Sequence, residues 1–396
     1  SACECVGRVS IFIPRVDSRL RGNDIEKCSQ NEVDRRPKNG YFIANACRKS
    51  GRVGMKRNKS SNEVTIKDVA KEAGVSYSTV SRVVNNKTYV NPDTRDRVLQ
   101  AMLRLGYQVN LHARSLAGGQ SNVIGLLVVD LTTQYMGEII SGIDDVLAAH
   151  QYELMLYTTH RRKAKESAYV HMMARGLADG LLISLPREPE AYLKSLRQKG
   201  FPYVIIDHRS EEPSDLFVSA NNYQGGYEAT NYLIELGHRR IGIVTGWMDM
   251  VSARDRLQGY QAALADAGLP FEAELLFQGD FSQPGGFNGG TCLLELAERP
   301  SAIFASNDIS AMGVIEAARA KGLQVPRDLS VVGFDDIPTA ALLSPQLTTV
   351  RQPLQEMGRS ATKMLLDLLR NPEDTPESII FPIELIVRET AVPPAE

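Results

Sequence analysis

Residues 64–85 read VTIKDVAKEAGVSYSTVSRVVN, and this stretch decides how the N-terminal part of the chain folds. Its first apolar residues recur three, four and seven positions apart, a spacing typical of a helix that buries one face. Gly74 is expected to end this helix, because glycine tolerates the left-handed backbone of a helix exit. Ser76 can cap a second helix, whose apolar residues are Val80, Val83 and Val84. The pattern predicts two short helices joined by a tight turn.

A third helix is predicted to begin at Asn91-Pro92, with Asn as its cap and Pro at its first position. Three short helices with a tight turn between the first two are typical of a helix-turn-helix domain, which we assign to residues 61–109. Residues 110–120 follow as a short polar and basic stretch broken by Gly118-Gly119. We expect a marginal helix there that acts as a linker, since isolated helices this short are barely stable in water.

From residue 121 to residue 390, short β-branched runs alternate with amphipathic stretches. The predicted strands are Val123–Val129, Leu154–Tyr157, Gly180–Ser184, Tyr203–Asp207, Ile241–Val244, Ala302–Ala305 and Ser330–Phe334. The predicted helices are Met136–Ala149, Asn222–Leu236, Ala253–Ala267, Ile309–Lys321 and Pro353–Leu369. This alternation is typical of parallel sheets with helices on both faces. Because the strands are too many for one small sheet, we expect an α/β fold with two lobes.

Both ends of the chain differ from this pattern. Residues 1–60 are rich in Arg, Asn, Gly and Ser and show no sustained periodicity. We expect them to form a disordered leader. Met55 followed by Lys56-Arg57-Asn58-Lys59 indicates that the natural start is Met55 and that residues 1–54 are read-through; a genuine unfolded leader is the alternative. Residues 391–396 are expected to be a short tail.

The net charge of −2 hides an asymmetry along the chain. Residues 1–120 carry 22 Lys and Arg against 11 Asp and Glu, whereas the remainder carries 23 against 36. A basic segment on an acidic body indicates contact with nucleic acid, because neutralising phosphates needs clustered cations. A solubilising tail is the alternative that charge alone leaves open.

Several classes of protein are disfavoured by what the sequence lacks. No run of about 18 apolar residues is long enough to cross a membrane, and no secretory signal is recognisable, so we expect a cytoplasmic protein. The five cysteines, Cys3, Cys5, Cys28, Cys47 and Cys292, form no zinc-site spacing with the six scattered histidines. We expect no metal, no cofactor and no structural disulfide.

Residues 64–85 resemble the opening of the lac/gal repressor (LacI/GalR) family. Further motifs agree with the family in order and spacing: Leu105-Gly106-Tyr107, Ala113-Arg114-Ser115-Leu116, Gly237-His238, Arg256-Leu257-Gln258-Gly259-Tyr260, Ser306-Asn307-Asp308 and Val332-Gly333-Phe334-Asp335-Asp336. The resemblance covers about residues 61–390. It implies a helix-turn-helix whose second helix enters the major groove, followed by an effector domain with the fold of periplasmic sugar-binding proteins.

The resemblance also implies which residues meet DNA. Tyr77, Ser78 and Arg82 occupy the base-reading positions, and Arg82 can donate bidentately to guanine. For Ser78, a phosphate contact is the alternative. Leu116 occupies the position that wedges into the minor groove, although it could instead pack within the hinge. The remaining candidates, expected mainly to hold phosphates or to support the helix, are Thr65, Ser76, Thr79, Ser81, Asn85 and Ala113.

The family pattern divides the effector domain into two lobes joined by three crossings that act as a hinge. We expect the first lobe to hold about 121–220 and 350–371, and the second about 221–349 and 372–390. In such folds ligands bind beyond the carboxyl ends of the strands. The candidate effector residues there are Tyr135, Ser184, Asp207, Ser252, Arg256, Phe281, Asn307 and Asp335.

These residue types suit the hydroxyl groups of a sugar. Carboxylates accept hydrogen bonds, the Arg guanidinium donates them in pairs, and the Asn side chain both donates and accepts. Asp335 could instead cap the next segment, and Tyr135 could be core. The segment Asp130–Met136, DLTTQYM, departs from the family pattern at Gln134 and Met136, which leaves the identity of the ligand open.

The sequence therefore predicts a homodimeric transcription repressor that binds a pseudo-palindromic operator under control of a small-molecule effector, most simply a sugar acting as inducer. A sugar-binding protein of transport type is the alternative, and the helix-turn-helix argues against it. A Rossmann-type enzyme is disfavoured because Gly118-Gly119 precedes the first strand instead of following it, and no catalytic set stands at motif spacing.

Overall fold

The computed structural model describes residues 64–84, 89–107, 121–187, 189–373 and 376–395. Several expectations concern residues outside these ranges and stay predictions. They are the leader over residues 1–60, the start at Met55, the hinge over residues 110–120, and the roles of Asn85, Ala113 and Leu116.

The helix-turn-helix forms as the sequence predicts. Helix α1 spans Ile66–Ala73, α2 spans Tyr77–Val84 and α3 spans Pro92–Leu105. Gly74 follows α1 with a φ of 65°, the left-handed conformation expected of a helix exit. The Ser76 hydroxyl accepts the Thr79 amide at 3.2 Å, and the Asn91 side chain accepts the Asp93 amide at 2.9 Å. The three helices bury a small apolar core of Val69, Ala70, Ala73, Val80, Val83, Val98 and Ala101.

The remaining described residues alternate between strands and helices. The strands are β1 (Val123–Val128), β2 (Glu153–Thr158), β3 (Gly180–Ser184), β4 (Tyr203–Ile206), β5 (Phe217–Ala220), β6 (Ile241–Thr245), β7 (Leu276–Gln278), β8 (Ala302–Ala305), β9 (Ser330–Asp335), β10 (Thr348–Arg351), β11 (Ile379–Phe381) and β12 (Glu384–Ile386). The helices are α4 (Gln134–Ala149), α5 (Glu166–Met173), α6 (Glu190–Gln198), α7 (Asn222–Glu235), α8 (Val251–Asp266), α9 (Gln283–Leu294), α10 (Asp308–Ala320) and α11 (Leu354–Arg370).

These strands build two six-stranded sheets with the same topology. The first sheet has the order β11-β5-β4-β3-β1-β2, and the second has the order β12-β10-β9-β8-β6-β7. All pairs are parallel except β10 with β12 at the edge of the second sheet. The expectation of an α/β fold with two lobes is confirmed. In each sheet the strand order reverses once, between β1 and β3 and between β6 and β8, and such switch points are where α/β folds bind ligands.

The expected lobe boundaries need two corrections. We assigned 372–390 to the second lobe, but β11 pairs with β5 of the first sheet, so the third crossing falls between Phe381 and Glu384. We assigned residues from 350 onward to the first lobe, but β10 pairs with β9 through Arg351, so that crossing falls just before α11. Strands of three or four residues carry too few positions for sequence periodicity to assign them to a sheet.

Glycines let helices of the second lobe approach each other closely. A Cβ on Gly226 of α7 would lie 2.3 Å from the Arg256 carbonyl oxygen, and one on Gly259 of α8 would lie 2.1 Å from the Tyr223 carbonyl oxygen. Only glycine fits such a backbone contact. The contact holds the start of α8 against the start of α7 and so fixes where the Arg256 side chain begins.

No helix in the described part of the chain is long and apolar enough to cross a membrane. Cys292 lies on α9, and the other four cysteines lie outside the described residues.

Candidate DNA-binding surface and ligand crevice

Helix α2 separates its apolar and polar residues onto opposite faces. Val80 and Val83 are buried against α1 and α3, whereas Tyr77, Ser78 and Arg82 are exposed. Ser78 and Arg82 are four residues apart and therefore share one face of the helix. Tyr77 keeps 53 % of its surface exposed, which is unusual for a large aromatic side chain and leaves it available to a partner.

Two small hydroxyl networks surround the beginnings of α1 and α2. The Ser76 hydroxyl lies 2.8 Å from that of Ser78 and 2.9 Å from that of Thr79. At α1, the Thr65 amide and hydroxyl both donate to Asp68, at 2.8 and 2.7 Å. These hydrogen bonds hold the pKa of Asp68 below its ordinary value. The two helix N-termini are thus preformed, and half-buried Thr79 and Ser81 lie on the same helix as the exposed residues.

A crevice between the two lobes lies beyond the carboxyl ends of the strands, at both switch points. It contains about 600 Å³ of space not occupied by atoms, part of it open to solvent. Its lining residues come from both lobes and are Val129, Asp130, Thr133, Tyr135, Met136, Arg161, Leu185, Asp207, Trp247, Met250, Ser252, Arg256, Phe281, Asn307, Ile309 and Asp335.

The structure brings seven of the eight effector candidates to this crevice. They are Tyr135, Asp207, Ser252, Arg256, Phe281, Asn307 and Asp335. The expectation for Ser184 needs correcting, since it does not line the crevice and its buried hydroxyl has no hydrogen-bond partner. The backbone turns left-handed at Leu185, with a φ of 50°, and Leu185 takes the position facing the crevice.

Arg256, near the start of α8, is the centre of a buried polar network. Its Nε donates to the Asn222 side-chain oxygen at 2.8 Å, and its Nη1 donates to the Ser306 carbonyl. Nη1 also lies 3.7 Å from Asp335, and the guanidinium carbon is 3.7 Å from the centre of the Phe334 ring. Nη2 makes no hydrogen bond to another described residue. One donor of a fixed guanidinium therefore remains for a ligand.

Two buried carboxylates face Arg256 from different lobes. Asp207, after β4, accepts hydrogen bonds from Tyr135 at 2.9 Å and from Asn222 at 3.2 Å. Asp335, at the end of β9, accepts one from Gln352 at 2.8 Å, and its second oxygen has no hydrogen bond to a described residue. Burial raises the pKa of Asp335 to about 7, although Arg256 and Gln352 oppose the rise. Burial likewise raises the pKa of Asp207, against the opposing effect of Arg256.

Among the seven effector candidates in the crevice, three have a left-handed backbone that non-glycine residues rarely adopt. The φ angles are 55° at Asp207, 62° at Phe281 and 116° at Asp335. Such conformations cost of order 1–3 kcal/mol each and cluster at functional sites. Here each of them aims a side chain off a strand or loop end toward the crevice. Asn307 supports the arrangement. Its side-chain oxygen caps α10 by accepting the Ser310 amide at 2.9 Å, and its side-chain nitrogen donates to the Phe281 carbonyl at 3.2 Å.

The sequence reasoning missed the aromatic and basic residues at the mouth of the crevice. Trp247 follows β6, and Arg161 follows β2 and pairs with Asp130 at 2.7 Å. Both lie a few residues beyond the end of a strand, where the rule that located Asp207 does not reach, since Asp207 directly follows β4. Among the described residues, no three His, Cys, Asp or Glu side chains cluster so that they could hold a metal ion.

Comparison with known proteins supports both halves of this picture. Residues 65–110 match the model of bacterial regulatory proteins of the lacI family, and residues 230–391 match the model of a periplasmic binding protein-like domain. The HTH-type transcriptional repressor PurR of Photorhabdus laumondii subsp. laumondii is 38 % identical over 331 residues, which are 83 % of this chain and 97 % of the relative.

Two solved structures show the same architecture. The complex of the transcriptional regulator CelR with cellobiose is 32 % identical, with a TM-score of 0.65, over 83 % of this chain and 99 % of that chain. The lac repressor dimer bound to operator and the anti-inducer ONPF is 29 % identical, with a TM-score of 0.72, over 84 % of this chain and 100 % of that chain. These proteins are repressors or regulators, and none is named as an enzyme.

Proposed function

This chain belongs to the lacI family of bacterial regulatory proteins and is a DNA-binding transcriptional repressor. From that premise we propose that a sugar bound in the crevice controls its affinity for DNA. The proposal also makes it a homodimer that reads a pseudo-palindromic operator and acts in the cytoplasm, where the operator is. One observation carries the choice of ligand: the crevice offers unused hydrogen-bonding groups beside aromatic rings.

Those groups match what a sugar presents. Arg256 Nη2 can donate to a hydroxyl, the second oxygen of Asp335 can accept from one, and the Ser252 hydroxyl can do both. The ring of Phe281 can pack against the C–H face of the sugar. The CelR complex holds cellobiose in a protein of the same architecture, which supports a sugar here.

A thermal-shift screen tests the ligand class. A ligand at 100 times its Kd should add ~2.7 kcal/mol to the free energy of unfolding. We expect a mono- or disaccharide to stabilise the wild type and to stabilise Asp335→Asn less, because the variant has lost one charged acceptor. Stabilisation by a nucleobase and by no sugar in the panel would contradict the proposal.

On the DNA side, Tyr77, Ser78 and Arg82 would read bases while Thr65, Ser76, Thr79 and Ser81 position the helix on phosphates. Exposure of the first three and their common helix support this assignment. The homodimer follows because one helix-turn-helix covers only one half-site. The structure of the lac repressor dimer on its operator is consistent with this geometry for a relative.

Coupling between the two regions would run through the lobes. Ligand in the crevice changes the angle between lobes, and the dimer converts this change into the spacing of the two hinge segments over residues 110–120. We expect the hinge to be only marginally helical alone, so that a differential affinity of ~1–3 kcal/mol would be enough for a switch. We propose that the sugar acts as an inducer, which weakens operator binding, and that Leu116 wedges the operator open. Equal losses on operator and random DNA for Leu116→Ala would rule out the wedge.

A further inference from the structure

The mouth of the crevice is bridged by charged side chains that connect the two lobes. Asp249 belongs to the second lobe, just before α8, and Arg187 belongs to the first lobe, after β3. Arg187 donates to both oxygens of Asp249, at 3.2 and 2.8 Å. Lys163, also of the first lobe, lies 2.7 Å from Asp249. One carboxylate of the second lobe is thus held by two cations of the first.

One of these cations, Arg187, also holds Trp247, together with Arg161 of the first lobe. The guanidinium carbon of Arg187 lies 4.0 Å from the centre of the indole ring, and that of Arg161 lies 5.2 Å from it. Both distances fit cation–π attraction, to which Trp contributes most among the aromatic side chains. The Trp247 ring also packs in an apolar cluster with Val129 of the first lobe and Met250 of the second. Its position therefore depends on the two lobes being together.

We propose that Asp249, Arg187 and Lys163 form an interlobe latch that holds Trp247 over the mouth of the crevice and makes its ring a specificity-determining wall for the ligand. The latch needs no ligand to form. Only the role of Trp247 in choosing the ligand rests on the proposed function.

Partial burial makes this latch stronger than an exposed ion pair. The Arg187 side chain is 13 % exposed and that of Asp249 is 26 % exposed. Bidentate Arg–carboxylate geometry and a second cation add to the attraction. Although burial acts in the opposite direction, Arg187 and Lys163 hold the pKa of Asp249 below its ordinary value, so the carboxylate stays charged at neutral pH. A ligand must then fit beneath Trp247 in the closed crevice.

The single tryptophan of the chain makes the latch directly observable. Trp247 fluorescence and its quenching by acrylamide can be measured on the full-length protein without effector or DNA. In Asp249→Asn, which keeps the side-chain shape and removes the charge, we expect emission at longer wavelength and more efficient acrylamide quenching than in wild type. In wild type, 1 M NaCl should move both readouts in the same direction, because salt screens partly exposed charges.

A matched control breaks an ion pair that lies within one lobe. Glu295→Gln removes the Lys321–Glu295 pair, with its 2.8 Å contact between α9 and α10, and should leave Trp247 quenching at the wild-type value. Unchanged quenching in Asp249→Asn, or an equal rise in Glu295→Gln, would overturn the latch. If Asp249→Asn fails to fold, the salt titration of wild type decides: quenching that does not respond to salt overturns it. Neither result bears on whether the crevice binds a sugar.

Discussion

The exposed face of α2, which we propose reads DNA, and the crevice are built in opposite ways. Tyr77 is 53 % exposed, and the outward side chains around it have few partners within the protein. Arg256 is 2 % exposed, and its guanidinium is held by side chains and backbone before any ligand arrives. A substitution on α2 should therefore remove a contact with DNA and leave folding intact, whereas one in the crevice should disturb folding and recognition together.

The largest effect is expected from Arg256→Ala. It removes the partner of two buried carboxylates and should lower the free energy of unfolding by ~3–5 kcal/mol, as breaking a buried ion pair does. Urea unfolding of wild type and variant measures this loss. The neighbouring Arg254→Ala, whose side chain is exposed, is the matched control and should change stability little. Equal stability of Arg256→Ala and wild type would contradict the buried network described for the crevice.

Arg82→Ala should show the opposite behaviour. We expect operator affinity to fall by ~1–3 kcal/mol and selectivity to relax at one base pair, because a bidentate contact with guanine is lost. The guanidinium lies 5.5 Å from the centre of the exposed Tyr89 ring, so the free energy of unfolding should change by no more than ~1 kcal/mol. Arg97→Ala, exposed on α3, serves as the control for loss of one positive charge. The same loss for both variants in a binding titration would mean that Arg82 contacts only phosphate.

The two regions should also differ in their response to pH. The pKa of Asp335 is raised by burial to about 7, so its carboxylate increasingly takes up a proton as the pH falls below 7. A ligand hydroxyl that donates to the ionised form should then bind up to about tenfold more weakly per pH unit. Calorimetry of sugar binding between pH 6 and 8 measures this slope.

The control is Asp335→Asn, which should show weaker binding with little slope over the same range. Folding stability should depend on pH in the opposite direction from sugar binding. Because the pKa of Asp335 is raised, the folded protein holds the proton more tightly than the unfolded chain, so wild type loses stability as the pH rises toward 7. Helix α2, with the sequence YSTVSRVV, contains no His or carboxylate, so DNA reading by it should change little. A slope for sugar binding in Asp335→Asn equal to that in wild type would assign the titration to another group.

The difference between the regions explains how much of the fold the sequence revealed. The three described helices of the helix-turn-helix were predicted, because caps, a glycine exit and helical periodicity are local signals. In the effector domain seven strands were found, but β5, β7 and β10 to β12 were missed because none of them, unlike the equally short β4 and β8, is a run of four apolar residues. Helix α9 was missed because its sequence QPGGFNGGTCLL is rich in glycine. Those glycines serve close packing: a Cβ on Gly286 would lie 2.1 Å from the Ser310 carbonyl oxygen.

For the site, the strand-end rule located Asp207 and Asp335 but not what holds them. The hydrogen bonds from Tyr135 to Asp207 and from Gln352 to Asp335 join residues 72 and 17 positions apart. Trp247 was missed because its partners, Arg161 and Arg187, belong to the other lobe. Contacts between lobes have no signature in local sequence, so only the folded chain reveals them.

The central claim is that the crevice controls the DNA-reading helix, and operator affinity with and without the sugar found by screening tests it most directly. For wild type, fluorescence anisotropy on labelled operator should show affinity weakened about 5-fold to 150-fold by saturating sugar. Asp335→Asn, and Arg256→Ala under conditions in which it stays folded, should bind the operator as wild type does without sugar and should respond to sugar little or not at all. If Arg256→Ala responds to that sugar as fully as wild type, the effector does not bind in this crevice and the account is wrong.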